Sequence, residues 1–123
     1  GGTAGFVGDA RPLPRKKPKL AAAYALAALY IGFKMVYLEA GSGALSHIPL
    51  SMVSAARKVI EIPLIVGGGI RTADDAKSVV RHGADIIVQG TFVEESALKD
   101  GGKKLKNVID SIRDVGKERR RSV

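Results

Sequence analysis

The chain has 123 residues, a formal net charge of +8 and no cysteine. Its length suits one domain with a hydrophobic core, and its apolar fraction of 46% and charged fraction of 26% are ordinary for a globular protein. The lack of cysteine excludes disulfides, thiolate metal sites and a cysteine nucleophile. His47 and His82 lie far apart in the sequence, so we expect no histidine-based metal cluster.

The positive charge lies mainly in two segments, residues 11–19 and 99–121. The first is interleaved with proline and indicates an exposed loop, whereas the second has apolar residues at helical spacing and basic residues toward solvent. Three Phe, three Tyr and no Trp leave few side chains on which bases could stack. We therefore expect no specific nucleic-acid partner, and instead a weak attraction to phosphates or to an anionic membrane surface.

The longest apolar stretch is Leu20 to Phe33, whose length of about fourteen residues is below the roughly 20 that a membrane span needs. It predicts a buried helix that begins near Pro18 and ends at Gly32. The face expected to point inward is Leu20, Tyr24, Ala27, Ala28 and Ile31. No signal peptide is recognisable, and we expect a cytoplasmic protein with peripheral contact at the membrane surface.

The remaining segments alternate between helix and strand patterns. Residues 1–8 are rich in glycine and predict a loop. Short apolar runs predict strands over Met35–Leu38, Pro63–Val66 and Asp85–Val88. Helical spacing predicts helices from near Pro49, from about Ala73 to Gly83, and over roughly Gly102–Arg120. Such alternation, repeated about every 20 to 30 residues, is typical of α/β proteins with parallel strands.

Three glycines, Gly67–Gly69, follow the second predicted strand and shortly precede Thr72 and Asp75, which have the spacing of a helix-capping box. Bare glycines let backbone N–H groups approach an anion, and a helix N-terminus adds a favourable dipole. This pattern fits a phosphate cradle. It fits a tight turn with positive φ equally well, and the segment alone leaves both interpretations open.

Every predicted strand ends in glycine, which favours a (β/α)8 TIM barrel, with its site built from strand-end loops, over a doubly wound open sheet. A whole barrel needs about 250 residues. We therefore expect residues 1–123 to be a single C-terminal half-barrel segment, about the last four βα units with the first strand missing or truncated. The loops after the last two strands are where such barrels hold phosphate, which favours the cradle. Half a barrel has unpaired edges, so we expect it to pair with a missing N-terminal half-barrel or another copy, as a homo-oligomer.

Glu39 closes the first predicted strand, within the segment Tyr37–Gly43. A carboxylate next to apolar residues is costly unless it has partners, so Glu39 is a candidate base or hydroxyl-binding group. The alternative is a solvated strand-end residue that bonds a loop amide. Ser42, between two glycines, offers a hydroxyl to an anion or is an ordinary turn serine, and no histidine stands in a comparable position to activate it.

Three segments together resemble archaeal geranylgeranylglyceryl phosphate synthases: Tyr37–Gly43 (YLEAGSG), Ile65–Thr72 (IVGGGIRT) and Ala84–Thr91 (ADIIVQGT). The stretch Gly2–Ala10, followed by Ala21–Ala25, is also similar to that family. The first motif is closer to the archaeal group than to the related bacterial heptaprenylglyceryl phosphate synthases. The resemblance covers nearly the whole chain except its tail, and it identifies the chain as the C-terminal half of a member.

The resemblance implies a prenyltransferase that forms the ether bond between sn-glycerol 1-phosphate and geranylgeranyl diphosphate in archaeal membrane lipid synthesis. Glu39 matches the residue that activates the attacking hydroxyl, and Arg71 is expected to orient the loop by an ion pair. The matching substrate-binding positions are Tyr37, Leu38, Glu39, Ala40, Gly41, Ser42, Gly43, Gly68, Gly69, Gly90 and Thr91.

The resemblance also implies Mg²⁺, whose ligands in the family lie in the N-terminal strands that this chain lacks. The fragment alone is therefore expected to be inactive and to contribute no metal ligand. The alternative function is a non-catalytic phosphate-binding half-barrel fragment or module.

Overall fold

The computed structural model describes residues 2–121, with the side chains of all of these except residues 2–4 and 120. The strands are β1 (Val36–Glu39), β2 (Leu64–Gly67) and β3 (Ile86–Val88). The helices are α1 (Gly2–Val7), α2 (Pro18–Ile31), α3 (Leu50–Arg57), α4 (Ala73–Arg81), α5 (Thr91–Asp100) and α6 (Lys103–Arg121). No helix within residues 2–121 combines the length and apolar character needed to cross a bilayer.

The three strands form one sheet in the order β1-β2-β3, and both neighbouring pairs are parallel. Each strand begins one residue after the predicted start. A helix connects each strand to the next, as parallel pairing requires. The predicted fold class, half of a parallel α/β barrel, is confirmed.

The two faces of the sheet differ in what covers them. Leu64 and Val66 point toward the helices and are fully buried. On the opposite face, Tyr37 is 45% exposed, and Ile86 and Val88 are 44% and 42% exposed. Alternate residues of a strand point to opposite faces, so the helices cover one whole face and leave the other open. The open face corresponds to the interior of the barrel.

The hydrophobic core lies between the sheet and the helices. α3 packs beside α2, and α4 packs beside α6. The buried core side chains are Ala21, Ala25, Ile48, Met52, Val53, Ala56, Ile60, Leu64, Val66, Ile70, Ala76, Val79, Ala84 and Val108. In α3 the buried side chains are Met52, Val53 and Ala56, whereas Leu50 is only half-buried; in α4 they are Ala76, Val79 and Val80.

The prediction that α2 is a buried helix is wrong for this structure. Its buried residues are Ala21 and Ala25, which lie on a different face from the one predicted. On the predicted face, Tyr24 is 65% exposed and Ile31 is 74% exposed. The helix is apolar on both sides, and a helix that is hydrophobic all round is normally enclosed by protein. One side of α2 therefore has no cover within the described residues.

The glycine-rich start of the chain is helix α1, not the predicted loop. Each glycine inside a helix costs about 1 kcal/mol relative to alanine, so the composition favours a loop. The helix is nevertheless closed by a hydrogen bond from Ala10 N to Gly5 O at 2.9 Å. Gly2 is already part of this helix, and residue 1 lies outside the described residues.

Helix α5 is a second element that the sequence patterns do not predict. Ser96 is its buried residue, and Leu98 is 88% exposed. The helix therefore has no continuous apolar stripe, and helical periodicity cannot detect it. The predicted final helix is confirmed as α6, which begins one residue after Gly102.

A charged cluster fixes the amino-terminal ends of the strands, at the opposite end from the glycine loops. Asp85 Oδ2 accepts hydrogen bonds from Arg57 Nη1 at 2.7 Å and from Leu64 N at 2.9 Å. Asp85 Oδ1 lies 3.4 Å from Arg119 Nη2, and Arg119 Nη1 also donates to Ala84 O at 2.7 Å. The cluster ties α3 and α6 to the starts of β2 and β3.

Candidate functional site

The carboxyl ends of the three strands open into one cavity of about 1660 Å³. All eleven residues that the sequence proposed for substrate binding line this cavity. Leu38 is a special case, because its side chain packs against the hydrophobic core. The structure therefore brings the predicted positions together, while their roles stay predictions.

Glu39 ends β1 on the open face of the sheet. Its Oε1 accepts a hydrogen bond from Gly41 N at 2.6 Å, so the carboxylate does bond a loop amide. The same carboxylate also borders the glycine loop, because a Cβ built on Gly68 would overlap Glu39 Oε1 and would lie 2.7 Å from Gly41 O. The end of β1 and the loop after β2 are thus in direct contact.

The loop after β2 contains two glycines with positive φ, Gly68 at 77° and Gly69 at 67°. A Cβ on Gly69 would lie 2.6 Å from His47 N, so neither position can carry a side chain without strain. The tight-turn interpretation is therefore correct. It is compatible with a phosphate cradle, because the same turn leaves the loop backbone bare.

Helix α4 begins immediately after this loop, with the predicted capping box. Thr72 Oγ1 accepts a hydrogen bond from Asp75 N at 3.0 Å, and Asp75 Oδ2 accepts one from Thr72 N at 3.0 Å. Asp75 Oδ2 also accepts one from Arg71 N at 3.2 Å. The side chains of the cap therefore bind the N–H of Asp75 in α4 and the N–H groups of Arg71 and Thr72 just before it, and the loop glycines remain as the bare backbone of this segment.

Helix α5 begins at the same cavity, directly after β3. Gly90 is its N-cap residue, and no side-chain hydrogen bond caps this helix. A Cβ on Gly90 would meet nothing within 4 Å, so the space beside its α-carbon is open. Phosphate-binding barrels use the loops after their last two strands together with the N-terminus of a short extra helix. α5 occupies that position, and it adds a positive dipole end to the cavity.

Two arginines hold the loop that follows β1. Arg71 Nη2 donates to Ala44 O at 3.2 Å and to Gly43 O at 3.4 Å, so it orients the loop through carbonyl oxygens and not through the expected ion pair. Arg15 Nη2 donates to Ser46 Oγ at 3.0 Å and to the carbonyl of the next residue at 2.6 Å. Sequence patterns do not reveal the role of Arg15, because its partners are more than thirty residues away.

Gln89 is a second residue that the sequence motifs did not single out. Its Nε2 donates to Ile70 O at 3.1 Å, which joins the end of β3 to the loop after β2. This bond fixes the position of the end of β3 relative to the loop after β2.

Tyr37 lies on the open face of β1, with its phenol over Gly67. Partial burial, followed by the hydrogen bond to Glu39 and the negative charge of Glu39, raises the pKa of Tyr37 to about 12. The phenol is therefore a protonated hydrogen-bond donor at neutral pH.

A magnesium site is not formed by these residues. Within the described part of the chain, no group of three or more His, Asp or Glu side chains is placed to hold a metal ion. We assign no step of the chemistry to a metal on this chain.

Comparison with known proteins places this geometry in a family. A family model described as the PcrB family matches residues 1–112. A geranylgeranylglyceryl phosphate synthase from Thermococcus sibiricus is 55% identical over 116 residues, which are 94% of this chain and 46% of that protein. Its counterpart from Pyrococcus horikoshii is 53% identical over 113 residues, which are 91% of this chain and 44% of that protein.

Solved structures show the same relationship. The crystal structure of (S)-3-O-geranylgeranylglyceryl phosphate synthase from Thermoplasma acidophilum, in complex with sn-glycerol-1-phosphate, superposes with a TM-score of 0.85 at 45% identity. Wild-type GGGPS from Thermoplasma volcanium gives a TM-score of 0.82 at 40% identity. The chain covers 44% of each, so it spans about half the length of the relatives it matches. The chain belongs to the PcrB family, as its three strand-end motifs indicated.

Proposed function

We propose that this chain forms the glycerol phosphate side of a prenyltransferase site. The complete enzyme would join sn-glycerol 1-phosphate to geranylgeranyl diphosphate through an ether bond, as the first step of archaeal membrane lipid synthesis. The observation that carries the proposal is the contact of the Glu39 carboxylate with the bare loop at Gly68, in a cavity shared with the N-terminus of α5. The names of the relatives and the ligand of the Thermoplasma acidophilum structure support it.

The phosphate would bind between the loop after β2 and the start of α5. Gly68 and Gly69 carry no side chain, and the open space at Gly90 leaves room for a phosphate oxygen. Backbone N–H groups and a helix dipole bind an anion without a dedicated basic side chain. Arg15 and Arg71 serve the loop instead, since both donate to oxygens of the loop after β1.

Glu39 would act as the general base. Its carboxylate accepts the proton of the glycerol hydroxyl as the hydroxyl oxygen attacks C1 of the prenyl chain. The bond between C1 and the diphosphate oxygen breaks, and the diphosphate leaves with the electron pair. Its negative charge calls for a divalent cation such as Mg²⁺, and we propose that the cation's ligands belong to the other half of the barrel.

The open surfaces of this chain suggest what that other half covers. The open face of the sheet, the outer edge of β1 and the apolar side of α2 all lack cover among the described residues. We propose that an N-terminal half-barrel covers all three and supplies the prenyl groove, with association of copies as the alternative. We also propose a cytoplasmic location with contact at the membrane surface, where a prenyl diphosphate is available.

Reconstitution tests the proposed function. The chain is mixed with the N-terminal half of the Thermococcus sibiricus relative, and prenyl transfer to sn-glycerol 1-phosphate is followed by mass spectrometry of the ether product. We expect product only when both halves are present. If the two halves form a complex that binds glycerol phosphate but yields no product, the non-catalytic phosphate-binding module is the better description.

A further inference from the structure

The phenol of Tyr37 packs against Gly67. A Cβ built on Gly67 would lie 3.0 Å from Cε2 and Cζ of Tyr37, and closer still to the hydroxyl oxygen. Gly67 is not among the glycines with positive φ, so its backbone conformation is available to other residues. The neighbouring Tyr37 side chain, and not the backbone, is what requires a glycine at this position.

Glu39 stands beside the same glycine. The strand register places Glu39 opposite Gly67, and Tyr37 shares its face of β1 because the two residues are two positions apart. A Cβ on Gly67 would meet the Tyr37 hydroxyl, and a Cβ on the adjacent Gly68 would meet Glu39 Oε1, so the phenol and the carboxylate lie against neighbouring glycines. Hydrogen bonding with Glu39 contributes to the raised pKa of Tyr37, and Gly41 N donates to Oε1 at 2.6 Å. The carboxylate therefore has one donor from a side chain and one from the backbone beside it.

We propose that Tyr37 is a positioning residue for Glu39. The absence of a side chain at Gly67 gives the phenol the space that this role requires. The inference rests on the proposed function, in which Glu39 accepts the hydroxyl proton. Two donors hold the carboxylate against the glycine loop before substrate arrives, so the accepting oxygen is already oriented. This role requires no contact between Tyr37 and the substrate.

Nuclear magnetic resonance of the chain itself tests the contact. The three tyrosines are labelled with ¹³C at Cζ, and the Tyr37 resonance is assigned with Tyr37→Phe at pH 7. We expect Glu39→Gln to move the Tyr37 resonance and to leave those of Tyr24 and Tyr30 in place, because Tyr37 is the tyrosine that shares the face of β1 with Glu39. A Tyr37 resonance that is unmoved in Glu39→Gln would overturn the proposal.

Gly67→Ala tests whether the phenol needs the space above Gly67, and it alters neither the Tyr37 hydroxyl nor the Glu39 carboxylate. Its Cβ needs the space of the phenol tip, which can swing away, so we expect folding to be kept and the Tyr37 resonance to move as in Glu39→Gln. Gly90→Ala is the matched control: its Cβ enters open space, so the Tyr37 resonance should stay in place. An unmoved resonance in folded Gly67→Ala would overturn the role of Gly67. If Gly67→Ala does not fold by circular dichroism, the Glu39→Gln spectrum still decides the proposal.

Kinetics in the reconstituted enzyme separate this inference from the proposed function. Tyr37→Phe should lower kcat about tenfold and leave KM for glycerol phosphate within about threefold, because a hydrogen bond that orients the base is lost. An unchanged kcat, or a raised KM at unchanged kcat, would overturn the positioning role. Normal turnover of Glu39→Gln would instead overturn the proposed function, whatever Tyr37→Phe shows.

Discussion

The carboxylate of Glu39 lies so close to the α-carbon of Gly68 that a Cβ on Gly68 would overlap Glu39 Oε1. This contact joins the strand that carries the proposed base to the loop that carries the proposed phosphate site. It also means that the hydroxyl and the phosphate of one small substrate could be held at the same time.

Gly68 and Gly90 should respond differently to the same substitution. Gly68→Ala places a side chain at φ 77° against Gly41 and Glu39, so we expect a loss of about 1–3 kcal/mol in unfolding free energy together with loss of glycerol phosphate binding. Urea unfolding and calorimetric titration of the reconstituted complex measure the two effects.

Gly90→Ala should keep the free energy of unfolding within about 0.5 kcal/mol, because its Cβ enters open space. We nevertheless expect weaker glycerol phosphate binding, since that space is where the phosphate is proposed to lie. Equal binding by Gly90→Ala and the unmodified chain would argue against this wall of the site.

Arg71 should affect binding more than stability. Arg71→Met removes the hydrogen bonds to Gly43 O and Ala44 O and keeps most of the side-chain volume. We expect the dissociation constant for glycerol phosphate to rise up to about tenfold, because a net hydrogen bond contributes roughly 1 kcal/mol. Lys77→Met, on α4, is the control, since the salt bridge that it removes is with the exposed Asp74. An effect of Arg71→Met no larger than that of Lys77→Met would contradict the loop-holding role.

Asp85 should be a stability residue with no direct part in the chemistry. Asp85→Ala leaves Arg57, Arg119 and the N–H of Leu64 without their shared acceptor, so we expect a loss of about 2–3 kcal/mol in urea unfolding. Asp114→Ala breaks one exposed ion pair with Lys117 and should cost less than about 0.5 kcal/mol. Similar losses in the two variants would show that the cluster adds little.

The corner between α5 and α6 should make stability depend on acid pH. The hydrogen bond from Ser96 lowers the pKa of Asp100 below its model-peptide value of 3.8, and backbone hydrogen bonds and Lys104 add to the shift. A carboxylate with a lowered folded-state pKa stabilises the fold above its unfolded-state pKa, and this contribution is lost as pH falls through the folded value. Ser96→Ala should therefore destabilise the chain at pH 7, and the difference from the unmodified chain should shrink below pH 3.8. A difference that stays constant between pH 7 and pH 3 would contradict this assignment.

The sequence patterns predicted the strands, the glycine turns and the capping box because each depends on a few consecutive residues. They missed α5, whose exposed Leu98 and buried Ser96 break any apolar stripe. They could not reveal the hydrogen bonds of Arg15 and Gln89 or the packing of Tyr37 against Gly67, because each is a contact between distant parts of the chain.

The wrong prediction for α2 is informative in a different way. Tyr24 and Ile31 follow the spacing of a core face, yet they are exposed in the structure. The relatives are about twice as long, and we propose that the pattern reflects burial against protein that these 123 residues do not contain. Such a neighbour would explain a periodic apolar face that has no cover among the described residues.

That neighbour can be tested through α2. Tyr24→Glu combined with Ile31→Glu places two charges on the uncovered face of α2. Each buried aromatic or aliphatic side chain contributes roughly 1.5–3 kcal/mol, so we expect binding to the N-terminal half-barrel to weaken by at least about 100-fold. Analytical ultracentrifugation measures the association, and Lys16→Gln with Lys19→Gln serves as the charge control, because it lowers the net charge by the same two units. Unchanged association would show that this face is not the covered one.

In the proposed mechanism, Glu39 performs the proton transfer, and backbone groups hold the phosphate elsewhere in the site. The most direct test is the single-turnover rate of prenyl transfer in the reconstituted barrel with Glu39→Gln, together with its dissociation constant for sn-glycerol 1-phosphate. We expect a rate lowered by about 100-fold or more and a dissociation constant within about threefold of the unmodified enzyme. A Glu39→Gln rate within about threefold of the unmodified enzyme would contradict it.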